Sequence, residues 1–229
     1  STLIHKMYSA AGEFHAVSHS LSLSVQTGEA REQRRMNVNN LVLPFIYEIS
    51  AQNTHEACEN YQKQSYRNRC LISTANGVEA LSVPVVHEGG TFKLPIRSIR
   101  VDYSVPWVQR SQRAISSAYD SSAFFEYYRD ELLAVLDSRP ETLWELEMAI
   151  IDFFVRKTGI AVQLRPSEVC ERYPEGDLRV VIHPKRPNCI LAHLGLEKPY
   201  FQVFSGKYGF RSDLSVMDLL FYEGPDSIM

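Results

Sequence analysis

From residue 104 to residue 159 apolar side chains recur every three to four positions, and in the flanks several shorter runs alternate in twos. The chain therefore reads as a helical middle between strand-rich ends. Ser104 is placed to cap a first helix with Pro106 in its first turn, and Trp107, Ala114, Ile115 and Ala118 share one side. Ser121 or Ser122 opens a second, with Phe124, Phe125, Tyr128, Leu132, Leu133 and Leu136 at helical spacing. Ser138 with Pro140 opens a third, which carries Leu143, Trp144, Leu146, Ile150, Ile151, Phe154 and Val155 and stops at Gly159. Such stripes meet other helices, so they read as core rather than as cofactor boxes.

The strand signals lie on both sides. Residues 41–47 are a short apolar run, with Pro44 limiting any hydrogen-bond ladder. Residues 96–102 alternate, residues 177–185 are strand-like, residues 160–164 look extended, and residues 200–204 form a compact aromatic strand followed by a turn at 206–210. Asp213 or Ser215 caps a closing helix that ends at Gly224 and Pro225. Residues 18–25 alternate too, so the stretch 1–37 is either an extension outside the domain, disordered or added, or the bearer of one edge strand. The expected architecture is a single α/β domain over 38–229. Its mixed sheet, from 41–47, 57–73, 79–86, 96–102 and later strands, includes a β-hairpin and packs against the three central helices.

The hairpin follows a polar, basic decamer, Tyr-Gln-Lys-Gln-Ser-Tyr-Arg-Asn-Arg-Cys at 61–70. A turn at Asn76-Gly77 sets Ile72 opposite Leu81 and Cys70 opposite Val83. A period of two then gathers Cys70, Ile72, Leu81 and Val83 on one face and sends Arg67 and Arg69 to the other. Those guanidinium groups suit a phosphate, a carboxylate or a sugar nucleotide. The competing reading is a solvated sheet face, or arginines paired with some of the chain's acidic residues.

Composition narrows the classes. The 229 residues suffice for a sizeable core, and 45% hydrophobic with 22% charged residues is ordinary for a water-soluble globular protein. A net charge of −3 argues against nucleic acid as a partner. No apolar run has the roughly 18–20 residues needed to cross a bilayer. Cys58, Cys70, Cys170 and Cys189 lie too far apart for a zinc site and read as reduced thiols of a cytoplasmic protein, two disulfides being the alternative. Glu145, Glu147 and Asp152 read as surface or structural charges of the third helix, since no histidine or further carboxylate stands at a useful spacing. No metal site and no particular cofactor is indicated.

The decamer, the Leu-Ser-Val-Pro-Val strand at 81–85, the strand ending Val101-Asp102, and Pro106-Trp107 ahead of a helix ending in Tyr119 resemble the WbqC-like proteins. So do Tyr-Phe-Gln-Val-Phe at 200–204, Gly209-Phe210, the stretch 214–221 and Glu223-Gly224-Pro225, so that the resemblance covers about 41–229. The segment after Tyr47 departs from it, lacking the proline- and aromatic-rich loop of relatives. The resemblance implies a role in surface-polysaccharide or O-antigen synthesis and fixes no reaction. Within it, Arg67, Arg69 and Lys63 are expected to hold an anionic group of a sugar nucleotide or activated acyl donor. Gln62 and Asn68 would hydrogen-bond the same group, with Lys185 and Gln202 as further substrate contacts. His183 and Asp218 are the candidate acid/base residues, and Glu223 a candidate substrate or metal contact. Against these stand a surface histidine, and an aspartate on the polar face of a closing helix. A non-catalytic binding or assembly protein of the same pathway is the alternative to a transferase.

Overall fold

The computed structural model describes residues 60–63, 65–86, 94–159 and 199–228. The expected strands at 41–47, 160–164 and 177–185, like the stretch 1–37, lie outside them.

β1 (Arg69–Thr74) and β2 (Gly77–Ser82) form an antiparallel hairpin. The turn sits one residue earlier than the Asn-Gly signal suggests. Thr74 pairs with Gly77, so Ala75 and Asn76 make the bend, Asn76 stays at negative φ, and Gly77 alone takes a positive one of 111°. The Thr74 hydroxyl accepts the Asn76 N–H (3.2 Å) and donates to the Gly77 carbonyl (2.9 Å), closing the bend from its first residue. Cys70 consequently faces Leu81 and Ile72 faces Glu79. The shift is two positions, so Cys70, Ile72 and Leu81 keep a common face although the expected pairs do not form.

Residues 96–102 are not the alternating strand their pattern suggests. Pro95, at φ −58°, leads into a 3-10 helix, Ile96–Ser98, in which the Ser98 N–H reaches the Pro95 carbonyl (2.9 Å). Residues three apart share a face of such a helix, and Ile96 and Ile99 are both buried. Only afterwards does the chain extend, bridging Arg100 to Thr142 and Val101 to Val85. Among the described residues the sheet is thus the hairpin alone, joined to its surroundings by isolated bridges.

The three central helices are present, but their start signals differ from those expected. α1 (Trp107–Tyr119) follows Pro106 directly, because Ser104 is engaged upstream: its N–H and hydroxyl both donate to Asp102 (2.9 and 2.6 Å). α2 (Phe125–Asp137) has no side-chain cap. The Ser122 hydroxyl instead donates back to the Tyr119 carbonyl (2.7 Å), covering the open end of α1. Ser138 likewise serves the end of α2. α3 (Leu143–Thr158) opens on Thr142, whose hydroxyl accepts the Glu145 N–H while the Glu145 carboxylate accepts the Thr142 N–H, and it closes on left-handed Gly159.

Residues 200–204 are not a strand either. The Gln202 side chain pairs with the main chain of Arg211 in both directions (2.9 and 3.0 Å), in place of a neighbouring strand. The chain then coils into the single turn α4 (Ser205–Tyr208) before α5 (Val216–Glu223), which Ser215 caps. The hairpin rests on α1 and α5, while α2 lies between α1 and α3 and contacts α5. Phe221 of α5 sits at the centre, its ring 5.1 Å from those of Tyr119 and Phe125 and 6.5 Å from that of Tyr128. The architecture is a single α/β domain, a hairpin laid over a helical layer.

Candidate functional site

The decamer does not run straight into the hairpin as strand. The Ser65 hydroxyl donates to the Gln62 carbonyl (2.8 Å) and accepts the Arg67 N–H (3.4 Å), nucleating a 3-10 turn, Tyr66–Asn68, before β1 begins. Asn68 then ties this turn to the residue after β2: its main-chain carbonyl accepts from the Val83 N–H (2.8 Å) and its side-chain amide donates to the Val83 carbonyl (3.0 Å). The turn breaks the expected alternation. Arg67 to Cys70 all border one cavity of ≈ 100 Å³ between the hairpin and the helices. Of the two readings of these arginines, a fully solvated face is therefore not what forms. Arg67 is only 5% exposed and Arg69 is half-buried.

The opposite wall is apolar. α3 contributes Leu143, Leu146, Ile150 and Phe154, and α2 contributes Leu132 and Leu136. Trp107 and Ser111 of α1 and Met217 of α5 complete it. One charge stands in that wall. Glu147, expected to be a surface or structural charge, borders the cavity with the arginines. The other two carboxylates of α3 are used elsewhere, Glu145 in the helix cap and Asp152 in a surface ion pair with Arg156. The signal for Glu147 was in the sequence, since 143, 146, 147, 150, 151 and 154 are one helical stripe and Glu147 is its only charge.

Buried Tyr61 reports the electrostatics. Burial raises its phenol above the ordinary value, Arg69 and Arg67 pull it down, and Glu147 pushes it up. Two guanidinium groups and the Glu147 carboxylate thus act on Tyr61, and the Asp213 carboxylate acts on Tyr66, which borders the cavity. Among the described residues, the Arg69 Nε, the Trp107 Nε1 and the Asn68 Oδ1, all on residues that border the cavity, are buried without a hydrogen-bond partner. Such groups cost stability unless something meets them.

Gln202 and Asp218 are brought together, but away from this cavity. The Asp218 carboxylate is fully buried and accepts from Tyr119 (3.0 Å), from Gln202 (2.7 Å) and from the Tyr200 hydroxyl. Burial raises the Asp218 pKa, and the hydrogen bonds from Tyr200, Gln202 and Tyr119 oppose the rise. Both tyrosines are pushed well above their ordinary value, first by burial and then by the Asp218 charge. This network fastens the 199–211 segment to α5, whose first turn supplies Met217 to the cavity. Gln62 and Lys63 are exposed and do not border the cavity, and Glu223 lies half-exposed at the end of α5. His183 and Lys185 lie outside the described residues. Among the described residues no group of three His, Cys, Asp or Glu side chains could hold a metal ion, and no helix is long and apolar enough to cross a membrane.

A hairpin over helices, with two arginines in the wall of a largely apolar cavity, defines a single α/β domain and names no reaction. The family model that matches is the WbqC-like protein family, over residues 52–186, more than half of the chain. The chain belongs to the WbqC-like family. Neither a curated protein nor a solved structure matches it.

Proposed function

We propose that this WbqC-like protein is a cytoplasmic transferase of surface-polysaccharide or O-antigen synthesis. Arg67 and Arg69 hold the anionic part of a nucleotide-activated or acyl donor, and Asn68 fixes the turn that presents them. The single observation that carries the reading is the placement of both arginines in the wall of one cavity, with Arg67 almost wholly buried. Family membership supports the pathway. A thermal-shift series with nucleotide sugars, ATP and acyl-CoA tests the site, because a ligand of the folded state raises the melting temperature by mass action. At a hundred times its Kd a ligand adds about 2.7 kcal/mol, and Arg69→Ala is expected to abolish the shift. A shift that survives in Arg69→Ala and Arg67→Lys, both folded, refutes the site.

A second reading, a non-catalytic binding or assembly protein of the same pathway, is favoured by Asp218. The carboxylate proposed from sequence as an acid/base group is occupied by three donors. Retention of pathway output in Arg69→Ala, with loss of a partner complex, would select that reading.

A further inference from the structure

We propose that the cavity walled by Arg67 and Arg69 takes the acyl part of an acyl donor, an aliphatic chain of about four carbons whose carbonyl or carboxylate oxygen meets Arg69 and Trp107. The inference rests on the anion-site reading above and narrows it from two donor classes to one. Three observations carry it.

The helical wall is the wrong surface for a sugar. Leu132, Leu136, Leu143, Leu146, Ile150 and Phe154 offer no hydrogen bond, and the polar side chains facing the hairpin from the helices are few, chiefly Ser111 and Glu147. Each sugar hydroxyl stranded against such a wall loses its water and gains no partner, which costs about tenfold or more in affinity. An alkyl chain loses nothing there and gains from its own burial.

The size fits a short chain. A dry cavity of about 150 Å³ lined by leucine, isoleucine and phenylalanine holds benzene, with six carbons. In proportion, the ≈ 100 Å³ here holds about four.

The polar groups fit a single acyl head. Among the described residues, the Arg69 Nε and Trp107 Nε1 are buried donors without a partner on the cavity wall, and a carbonyl or carboxylate oxygen is the acceptor that meets such donors. The Glu147 and Asp213 carboxylates act on Tyr61 and Tyr66 beside the two arginines and offset their charge. A wall so offset suits a monoanionic carboxylate or a neutral thioester carbonyl better than a phosphate dianion.

The test uses straight-chain carboxylates, from acetate to octanoate, as probes of the full chain. Trp107 and Trp144 are the only tryptophans, so Trp144→Phe leaves Trp107 as the sole fluorescent reporter at the cavity. The Kd is expected to fall about fourfold with each added methylene as far as pentanoate and to stop improving by octanoate. Leu136→Phe fills the cavity and should weaken pentanoate about tenfold or more while leaving acetate unchanged. If that variant does not fold, Ile150→Phe at a half-buried position makes the same test. A flat series whose binding depends on Arg69 overturns the acyl pocket and keeps the anion site. Arg69-dependent binding of inorganic phosphate or a sugar nucleotide, with no carboxylate bound, also overturns the acyl pocket. Absence of any Arg69-dependent anion binding, phosphate and nucleotide sugars included, overturns both readings.

Discussion

Tyr119→Phe removes one oxygen from the most deeply buried polar network of the fold and leaves its packing in place, because the ring still meets Phe221 edge-to-face at 5.1 Å. The lost bond is a hydroxyl donating to a fully buried carboxylate (3.0 Å). Hydrogen bonds to charged groups contribute about 1.5–3 kcal/mol net, so the variant should lose about 2 kcal/mol at pH 8. For a chain of this length that is a fall of roughly 4–8 °C in Tm. The loss should depend on pH in a definite direction. Burial holds the Asp218 pKa above its unfolded value of about 3.9, so between the two values the folded state binds the extra proton. Stability from this group therefore falls as pH rises through that window, and its ionised form is the costly one. The Tyr119 hydroxyl relieves that cost, and removing it raises the Asp218 pKa further. At pH 3, below the unfolded value and therefore further below the raised folded one, Asp218 is protonated, and the variant should lose only about 1 kcal/mol, the worth of a neutral hydrogen bond. Urea unfolding followed by circular dichroism at pH 8 and pH 3, with equal m-values, measures both. A loss below about 0.5 kcal/mol at pH 8, or one that does not shrink at pH 3, would refute the reasoning.

Thr142→Ala removes the hydroxyl half of the α3 capping box and should cost about 1 kcal/mol, read from the urea midpoint, with Thr142→Ser restoring most of it. Gly224→Ala should cost about 2–4 kcal/mol. Its φ is +58°, and an added Cβ would lie 2.6 Å from the Phe124 ring, so both backbone and packing must give. A variant as stable as wild type would show that the α5 terminus is not held as described. Leu146→Ala, at a fully buried wall position, should cost about 2–5 kcal/mol and move the carboxylate optimum to longer chains. An unchanged optimum would show that ligands do not reach that wall.

Local sequence determined the parts whose physics is local. The stripes at 107–119, 125–137 and 143–158 became helices, Gly159 ended the third of them and Gly224 the closing helix α5, and an Asn-Gly pair announced the hairpin. The candidate arginines were legible too, because guanidinium groups crowded among amides and tyrosines are unusual in composition alone. Tertiary structure decided what each polar group does. Whether Ser104, Ser122 and Ser138 opened a helix or closed the one before depended on which carbonyl or carboxylate lay nearest in space. Pro95 turned an alternating pattern into a 3-10 turn, and Gln202 replaced a strand partner by pairing with Arg211, nine residues along the chain. Asp218 met Tyr119 across 99 positions of sequence. Glu147 stood visibly in an apolar stripe, yet its meaning came only when α3 faced the hairpin arginines across a cavity. Periodicity fixes which side of an element is apolar. Only packing fixes what that side faces, and burial then decides which of its charges must be answered.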